Sequence, residues 1–155
     1  MIIAVGFDGT IVLRGAHADT VSPLRLRRGA IQALRALKKA GHVLVLSSTR
    51  ANRALRVDPD LDPLVASGVT KIDRHQWQVS RLIHEARYDQ MIHFVHEELP
   101  GLFAAVDDGK QGPVVADLYI DHRGVRVGDG ALGAQSWEEI AATWGAEYPR
   151  RTRGA

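Results

Sequence analysis

The sequence predicts an α/β domain with a mainly parallel sheet and helices on both faces. Short apolar runs rich in β-branched residues alternate with longer segments of helical periodicity. A strand, a helix and a second strand follow one another before residue 47, which favours a right-handed parallel crossover. The chain has 155 residues, 45% hydrophobic and 25% charged, which suits one core. We therefore predict a single domain over residues 1–148 and a disordered basic tail over 149–155.

The first half of the chain gives the clearest signals. Residues 2–5 are continuously apolar and predict a buried first strand. Val21-Ser22-Pro23 predicts a helix start, since proline fits a first helical turn, and helical periodicity continues to about residue 40. Gly41 stands where a left-handed C-cap is expected. Residues 42–46 predict a second buried strand.

The second half is less regular, because Asp-Pro pairs interrupt residues 51–74. We interpret this segment as a candidate cover for a site at the ends of the strands. Ser136 precedes Glu139 by three residues, the spacing of a capping box, and predicts the start of a final helix. Between these segments we expect a short helix around 64–67, a helix over 76–87, a strand over 91–95, a polar loop over 107–113 and a strand over 114–121.

Composition excludes several classes of function. The chain has no cysteine, so it has no disulfide, thiolate zinc site or cysteine nucleophile. A net charge of +2 is too small to argue for a nucleic-acid partner. No apolar run approaches the ~20 residues of a membrane span, and the N-terminal run lacks the basic flank of a signal peptide. We expect a cytoplasmic protein without a membrane partner, whose oligomeric state stays open.

Polar residues follow three of the predicted strands. Asp8, Ser48 and Asp121 each come directly after or close behind an apolar run. In a parallel α/β sheet the carboxyl ends of the strands meet at one edge, where ligands bind. These three side chains are therefore the first candidates for a functional site. Asp117 lies within a predicted strand and is expected to be structural.

The segment from Ile2 to Val12, with Asp8-Gly9-Thr10 after the strand, resembles the first motif of the haloacid dehalogenase (HAD) superfamily of phosphohydrolases. That motif is a hydrophobic strand followed by Asp-x-Asp-Gly-Thr. Asp8 matches its second Asp, the general acid and base. The first Asp, which in the family is the nucleophile and a magnesium ligand, is replaced by Gly6.

Later segments extend the resemblance in the same order. Residues 41–50 resemble the second motif and place Ser48 at the hydroxyl that contacts the phosphoryl group. Lys110 resembles the third-motif lysine. Asp121 stands at the acidic end of the fourth motif, and His122 replaces the second acid found there in small cap-less relatives.

The resemblance implies a Rossmann-like HAD fold of the small cap-less type, which acts on a phosphorylated small molecule with Mg²⁺. It also implies the roles of the site residues. Catalytic roles fall to Asp8, Ser48 and Lys110; phosphate binding to Gly9, Thr10, Ser48, Thr49 and Lys110; and metal binding to Asp8 and Asp121.

Gly6 conflicts with catalysis by this set. A carboxylate nucleophile divides phosphate-ester hydrolysis into two easier steps, and glycine has no group that attacks. Loss of a nucleophile from a cooperating set commonly costs about 10⁴–10⁶ in rate. We therefore expect a HAD-like protein with a degraded site, impaired in catalysis but with phosphate binding still open to it.

Two alternatives from other classes remain open, so the sequence leaves undecided whether the chain is an enzyme. In the first, the chain is an active enzyme in which Asp8 and Asp121 hold a metal ion that activates water for direct attack. In the second, the chain is an interaction or scaffold protein that uses only the fold. A metal site at His93 and His96 is disfavoured, because a strand would point them to opposite faces.

Overall fold

The computed structural model describes residues 1–13, 21–51, 66–68, 71, 73–110, 114–121, 124–128 and 133–145. None of the helices in these ranges is long and apolar enough to cross a membrane. The described elements, in chain order, are β1 Ile2–Gly6, α1 Ala30–Lys39, β2 Val43–Ser47, a 3₁₀ helix Thr49–Ala51, α2 Arg74–Glu98, β3 Ala105–Val106, β4 Leu118–Ile120 and α3 Trp137–Trp144.

The four described strands form one parallel sheet in the order β3-β2-β1-β4. β1 is central, with Ile3 opposite Leu44 on one side and Leu118 on the other. Residues 3–5 are at most 1% exposed, although successive side chains point to opposite faces. Both faces of β1 are therefore covered, which is typical of parallel sheets. The α/β class and its parallel sheet are confirmed.

Helix α1 begins later than predicted but ends as predicted. Its buried residues, from Ala30 to Leu37, recur at helical spacing and join the core. Gly29 precedes the helix at φ 79°, a conformation that favours glycine. At the other end Gly41 has φ 87°, and Lys38 and Lys39 lie in the last turn. The left-handed C-cap is therefore confirmed.

The helix start at Val21-Ser22-Pro23 is wrong. The backbone that follows this segment bonds to the loop after β1: Leu13 N donates to the Arg25 carbonyl, and Arg27 N to the Ile11 carbonyl, both at 2.8 Å. Leu26 forms an isolated antiparallel bridge with Val12. Tertiary hydrogen bonds to the site loop thus override the local helical signal.

Helix α2 contains the predicted helix over 76–87 but continues to Glu98, so the strand over 91–95 is wrong. Met91 is fully buried and Phe94 packs against the core. These core residues of the helix make residues 91–95 as apolar as a strand. The edge of the described sheet is formed instead by β3, a two-residue strand that the sequence did not predict.

This correction changes the argument about His93 and His96. On a helix, residues three apart lie on the same side, so the opposite-face argument against a shared metal fails. His96 is exposed and contacts Glu97, with Nδ1 3.2 Å from Oε1. Within the described ranges no group of three or more His, Asp and Glu side chains is arranged to hold a metal ion.

The predicted strand over 114–121 is shortened to β4. Asp117 precedes it, and its carboxylate accepts a hydrogen bond from Ile2 N at 2.7 Å, a structural role as expected. The Tyr119 hydroxyl donates to the Val114 carbonyl at 2.6 Å, in a segment without regular structure. The predicted tail, most of 51–74, including residues 64 and 65 of the helix predicted over 64–67, residues 111–113 and His122 lie outside the described residues.

Helix α3 begins with the predicted capping box. Glu139 N donates to Ser136 Oγ at 3.2 Å, and Ser136 N donates to the Glu139 carboxylate at 2.6 Å. The next residue, Trp137, is 1% exposed, and its indole N–H donates to the Thr10 carbonyl at 3.1 Å. The last described helix thereby anchors the loop that follows the first strand.

Trp137→Phe tests this anchor. The ring stays apolar, but the Thr10 carbonyl loses a buried donor, so we expect the free energy of unfolding to fall by about 1–3 kcal/mol. Urea denaturation measures it, with Trp144→Phe, half-buried at the far end of α3, as the control. Equal losses for both variants contradict a specific role of the Trp137 bond.

Candidate functional site

The candidate site lies where the strand order reverses. The chain moves from β1 to β2 and β3 on one side, and then returns to place β4 on the other side of β1. Parallel α/β sheets bind ligands beyond the carboxyl ends of the strands at such a reversal. β1 ends at Gly6 and β4 at Ile120, so Asp8 and Asp121 follow the two strands that flank this point.

Gly6 sits in a closed position. A Cβ atom added to it would lie 2.9 Å from the Asp121 Cβ and 3.0 Å from the Thr10 Oγ1. Asp121 and Thr10 are each 4% exposed, so neither has solvent space into which to move. A side chain at the position that the HAD resemblance assigns to the nucleophile therefore requires Asp121 or Thr10 to shift. The structure joins Gly6, Thr10 and Asp121 as packing partners.

Asp8 pairs with Arg50, a residue that was not among the predicted site residues. Arg50 Nε donates to Asp8 Oδ2 and Arg50 Nη2 to Asp8 Oδ1, each at 2.7 Å. The planar guanidinium thus meets the carboxylate with two parallel charge-assisted bonds. The side chains of Arg50 and Asp8 are only 6% and 19% exposed. Asp8 is therefore half of a largely buried ion pair.

Further contacts fix the position of the Arg50 guanidinium. Its Nη1 donates to the Arg87 carbonyl at 2.8 Å and to Gln90 Oε1 at 3.1 Å, both on α2. Its centre lies 5.1 Å from the centroid of the Phe7 ring. Gln90 Nε2 in turn donates to the Ser22 carbonyl at 2.8 Å. One arginine thereby joins the loop after β1, the segment after β2 and helix α2.

Gly9 and Thr10 were predicted to bind phosphate, but their backbone amides form hydrogen bonds within the loop itself. Gly9 N donates to the Val12 carbonyl at 2.9 Å, and Thr10 N donates to the Phe7 carbonyl at 3.2 Å. The next two amides donate to the same Phe7 carbonyl. The Thr10 side chain is buried against Gly6. Gly9 and Thr10 therefore build the turn and present no donor of this kind to a ligand.

The other predicted phosphate ligands are dispersed. Ser48 follows β2, and its Oγ accepts a hydrogen bond from Arg50 N at 3.1 Å, while Thr49 is exposed. Lys110 follows β3, which lies two strands from β1, or about 10 Å at the usual strand spacing. Its side chain is 77% exposed, and its Nζ lies 3.7 Å from the Asp108 carboxylate. The structure does not bring Lys110 into the buried group at the reversal point.

The residues present do not fit the magnesium site that the resemblance implies. Mg²⁺ requires oxygen ligands in near-octahedral geometry. Gly6 supplies no ligand, and both Asp8 carboxylate oxygens accept from Arg50. The buried Asp121 accepts a hydrogen bond from Gly124 N at 3.2 Å. Within the described ranges, Asp8 and Asp121 are not part of a three-residue metal-binding group.

Comparison of the chain with protein-family models, with curated proteins and with solved structures finds no match.

Gly6→Ala tests the closed position. We expect an overpacking cost of about 1–3 kcal/mol in the free energy of unfolding, since the new Cβ meets the Asp121 Cβ. Asp121→Gly removes that atom, so in the double variant the Gly6→Ala cost falls. A thermodynamic cycle over the four proteins measures the coupling. Full additivity contradicts the contact.

Proposed function

We propose that the chain is a HAD-like domain that has lost phosphohydrolase chemistry, and in which the former acid Asp8 holds the site loop in place. The observation that carries this proposal is the paired guanidinium and carboxylate of Arg50 and Asp8, at 2.7 Å for each bond, beside a closed Gly6. The acid and the nucleophile position thus both have structural uses.

The topology supports the HAD-like part of the proposal. The strand order β3-β2-β1-β4 is the order of the first four strands in a Rossmann-type doubly wound sheet. Asp8-Gly9-Thr10 follows β1, Ser48 follows β2 and Asp121 follows β4, all at the carboxyl edge. These positions agree with those of the HAD motifs.

The contacts of Asp8 support the loss of hydrolysis. A general acid must reach the leaving oxygen and transfer a proton to it. Here Asp8 must first leave Arg50, and breaking a buried ion pair costs about 3–5 kcal/mol. A barrier raised by that amount slows the reaction by roughly 10²–10⁴. This loss adds to the absence of a nucleophile at Gly6.

Retained phosphate binding has weaker support. The amides of Gly9 and Thr10 are used within the loop, and Lys110 lies beside Asp108. The positive charge of Arg50 is already matched by Asp8. A phosphate dianion at this edge would also approach the acidic Asp121 without a metal to offset the repulsion. We therefore propose at most weak binding of phosphorylated ligands.

The water-attack alternative requires Asp8 and Asp121 to share a metal, and the Arg50 contacts oppose that. One observation favours the other alternative, an interaction or scaffold protein. A cavity of about 330 Å³ lies between the end of α2 and β3, lined mainly by apolar side chains that include Val95, Leu99 and Phe103. Its size and lining suit a small apolar ligand or the side chains of a partner.

A hydrolysis assay tests the proposal. We expect neither the native chain nor Gly6→Asp to hydrolyse a generic phosphate monoester with Mg²⁺. The native chain has no nucleophile at Gly6, and a carboxylate placed there meets the buried Asp121 and Thr10. Circular dichroism must show that each protein is folded. Turnover by the native chain that is lost in Asp8→Asn supports the water-attack mechanism and overturns the proposal. Turnover gained by a folded Gly6→Asp shows that the rest of the site is intact.

A further inference from the structure

We infer that the Arg50 guanidinium is the resident cation of this site and takes the place that the HAD resemblance gives to a divalent metal. The loop after β1 is then held in its folded form without metal. The replacement of a metal rests on the proposed HAD-like origin, whereas the pairing of Arg50 with Asp8 rests on their own contacts.

The charge of Asp8 requires a partner at this position. Its side chain is 19% exposed and lies in a turn whose neighbours Phe7 and Thr10 are buried. A carboxylate removed from water is stable only when it is paired and hydrogen-bonded. Arg50 meets both requirements at once, with one bond to each carboxylate oxygen.

The geometry selects arginine over both lysine and a metal ion. Lysine offers a compact point charge, whereas this site uses three guanidinium nitrogens, towards Asp8, the Arg87 carbonyl and Gln90. A metal ion bound to the Asp8 oxygens would lie beside the guanidinium and be repelled by it. The Phe7 ring, whose centroid lies 5.1 Å from the guanidinium centre, adds a cation–π attraction.

The same cation is also a mechanical link. Asp8 precedes Arg50 by 42 residues in the chain, and Arg87 and Gln90 follow Arg50 by 37 and 40 residues. Mg²⁺ holds its oxygen ligands at about 2.0–2.1 Å from a single centre. The guanidinium instead directs N–H groups from three separate nitrogens to a loop carboxylate, a helix carbonyl and the side-chain oxygen of a helix glutamine. The fixed cation therefore couples the site loop to α2.

Thermal and urea unfolding of Arg50→Met test the inference, with Arg81→Met as the matched control. Arg81 also forms an ion pair, with Glu85 at 2.9 Å, and lies over the Trp77 ring at 5.5 Å, but its side chain is 43% exposed. We expect Arg50→Met to lower the folding equilibrium constant about 10²–10⁴-fold, since Asp8 is left buried and unpaired. Arg81→Met should lower it by no more than about fivefold.

The dependence of unfolding on metal is the decisive readout. We expect the unfolding midpoint of the native chain to be the same in millimolar Mg²⁺ and in a chelator, at matched ionic strength. In Arg50→Met, Mg²⁺ should raise the midpoint by binding the unpaired Asp8 carboxylate, and Asp8→Asn in that background should abolish the rise. The inference is overturned if Mg²⁺ raises the midpoint of the native chain and Asp8→Asn removes that effect.

A second measurement decides the question if Arg50→Met does not fold. Calorimetric titration of the native chain with Mg²⁺, and with Mn²⁺ as a second probe, should show no binding that Asp8→Asn removes. Such binding overturns the inference but leaves the proposed loss of hydrolysis intact. Hydrolysis by a chain that binds no metal would overturn the proposed loss of hydrolysis but leave the role of Arg50 intact. The two proposals can therefore fail independently.

Discussion

The ion pair between Asp8 and Arg50 is the constraint on which the rest of the site depends. It fixes the turn after β1, and the other contacts of Arg50 place α2 against that turn. The carbonyls and amides of the turn then pair among themselves, and Trp137 reaches them from the last described helix. A buried pair is not in itself a large source of stability, but it specifies one arrangement, because any other leaves a buried charge unpaired.

Much of the fold was predictable where local patterns and tertiary contacts agree. The strands at 2–6 and 43–47, the cap at Gly41 and the capping box at Ser136 follow from patterns that a few neighbouring residues complete. The errors occur where distant contacts decide. Residues 21–29 bond to the β1 loop, and 91–95 have an apolar content that a buried helix and a strand share.

The site was predictable in location but not in its contacts. The motif residues indicated the carboxyl edge of the sheet, and Asp8, Ser48 and Asp121 lie there. Sequence gave no sign that Gly6 and Asp121 pack against each other, since the contact depends on strand register. The position of Arg50 in the sequence does indicate an ion pair. A cation directly behind a buried strand, among small hydroxyl residues, requires a carboxylate nearby, and Asp8 was the available one.

The contact between Gly6 and Asp121 has a consequence for how this sequence can vary. Two positions 115 apart in the chain share one small volume, so a side chain entering at position 6 requires a smaller residue or a shifted strand end at position 121. A single substitution that places a larger residue at position 6 therefore creates an overpacked protein. Packing couples the two positions, so a side chain at position 6 should be tolerated best together with a smaller residue at position 121.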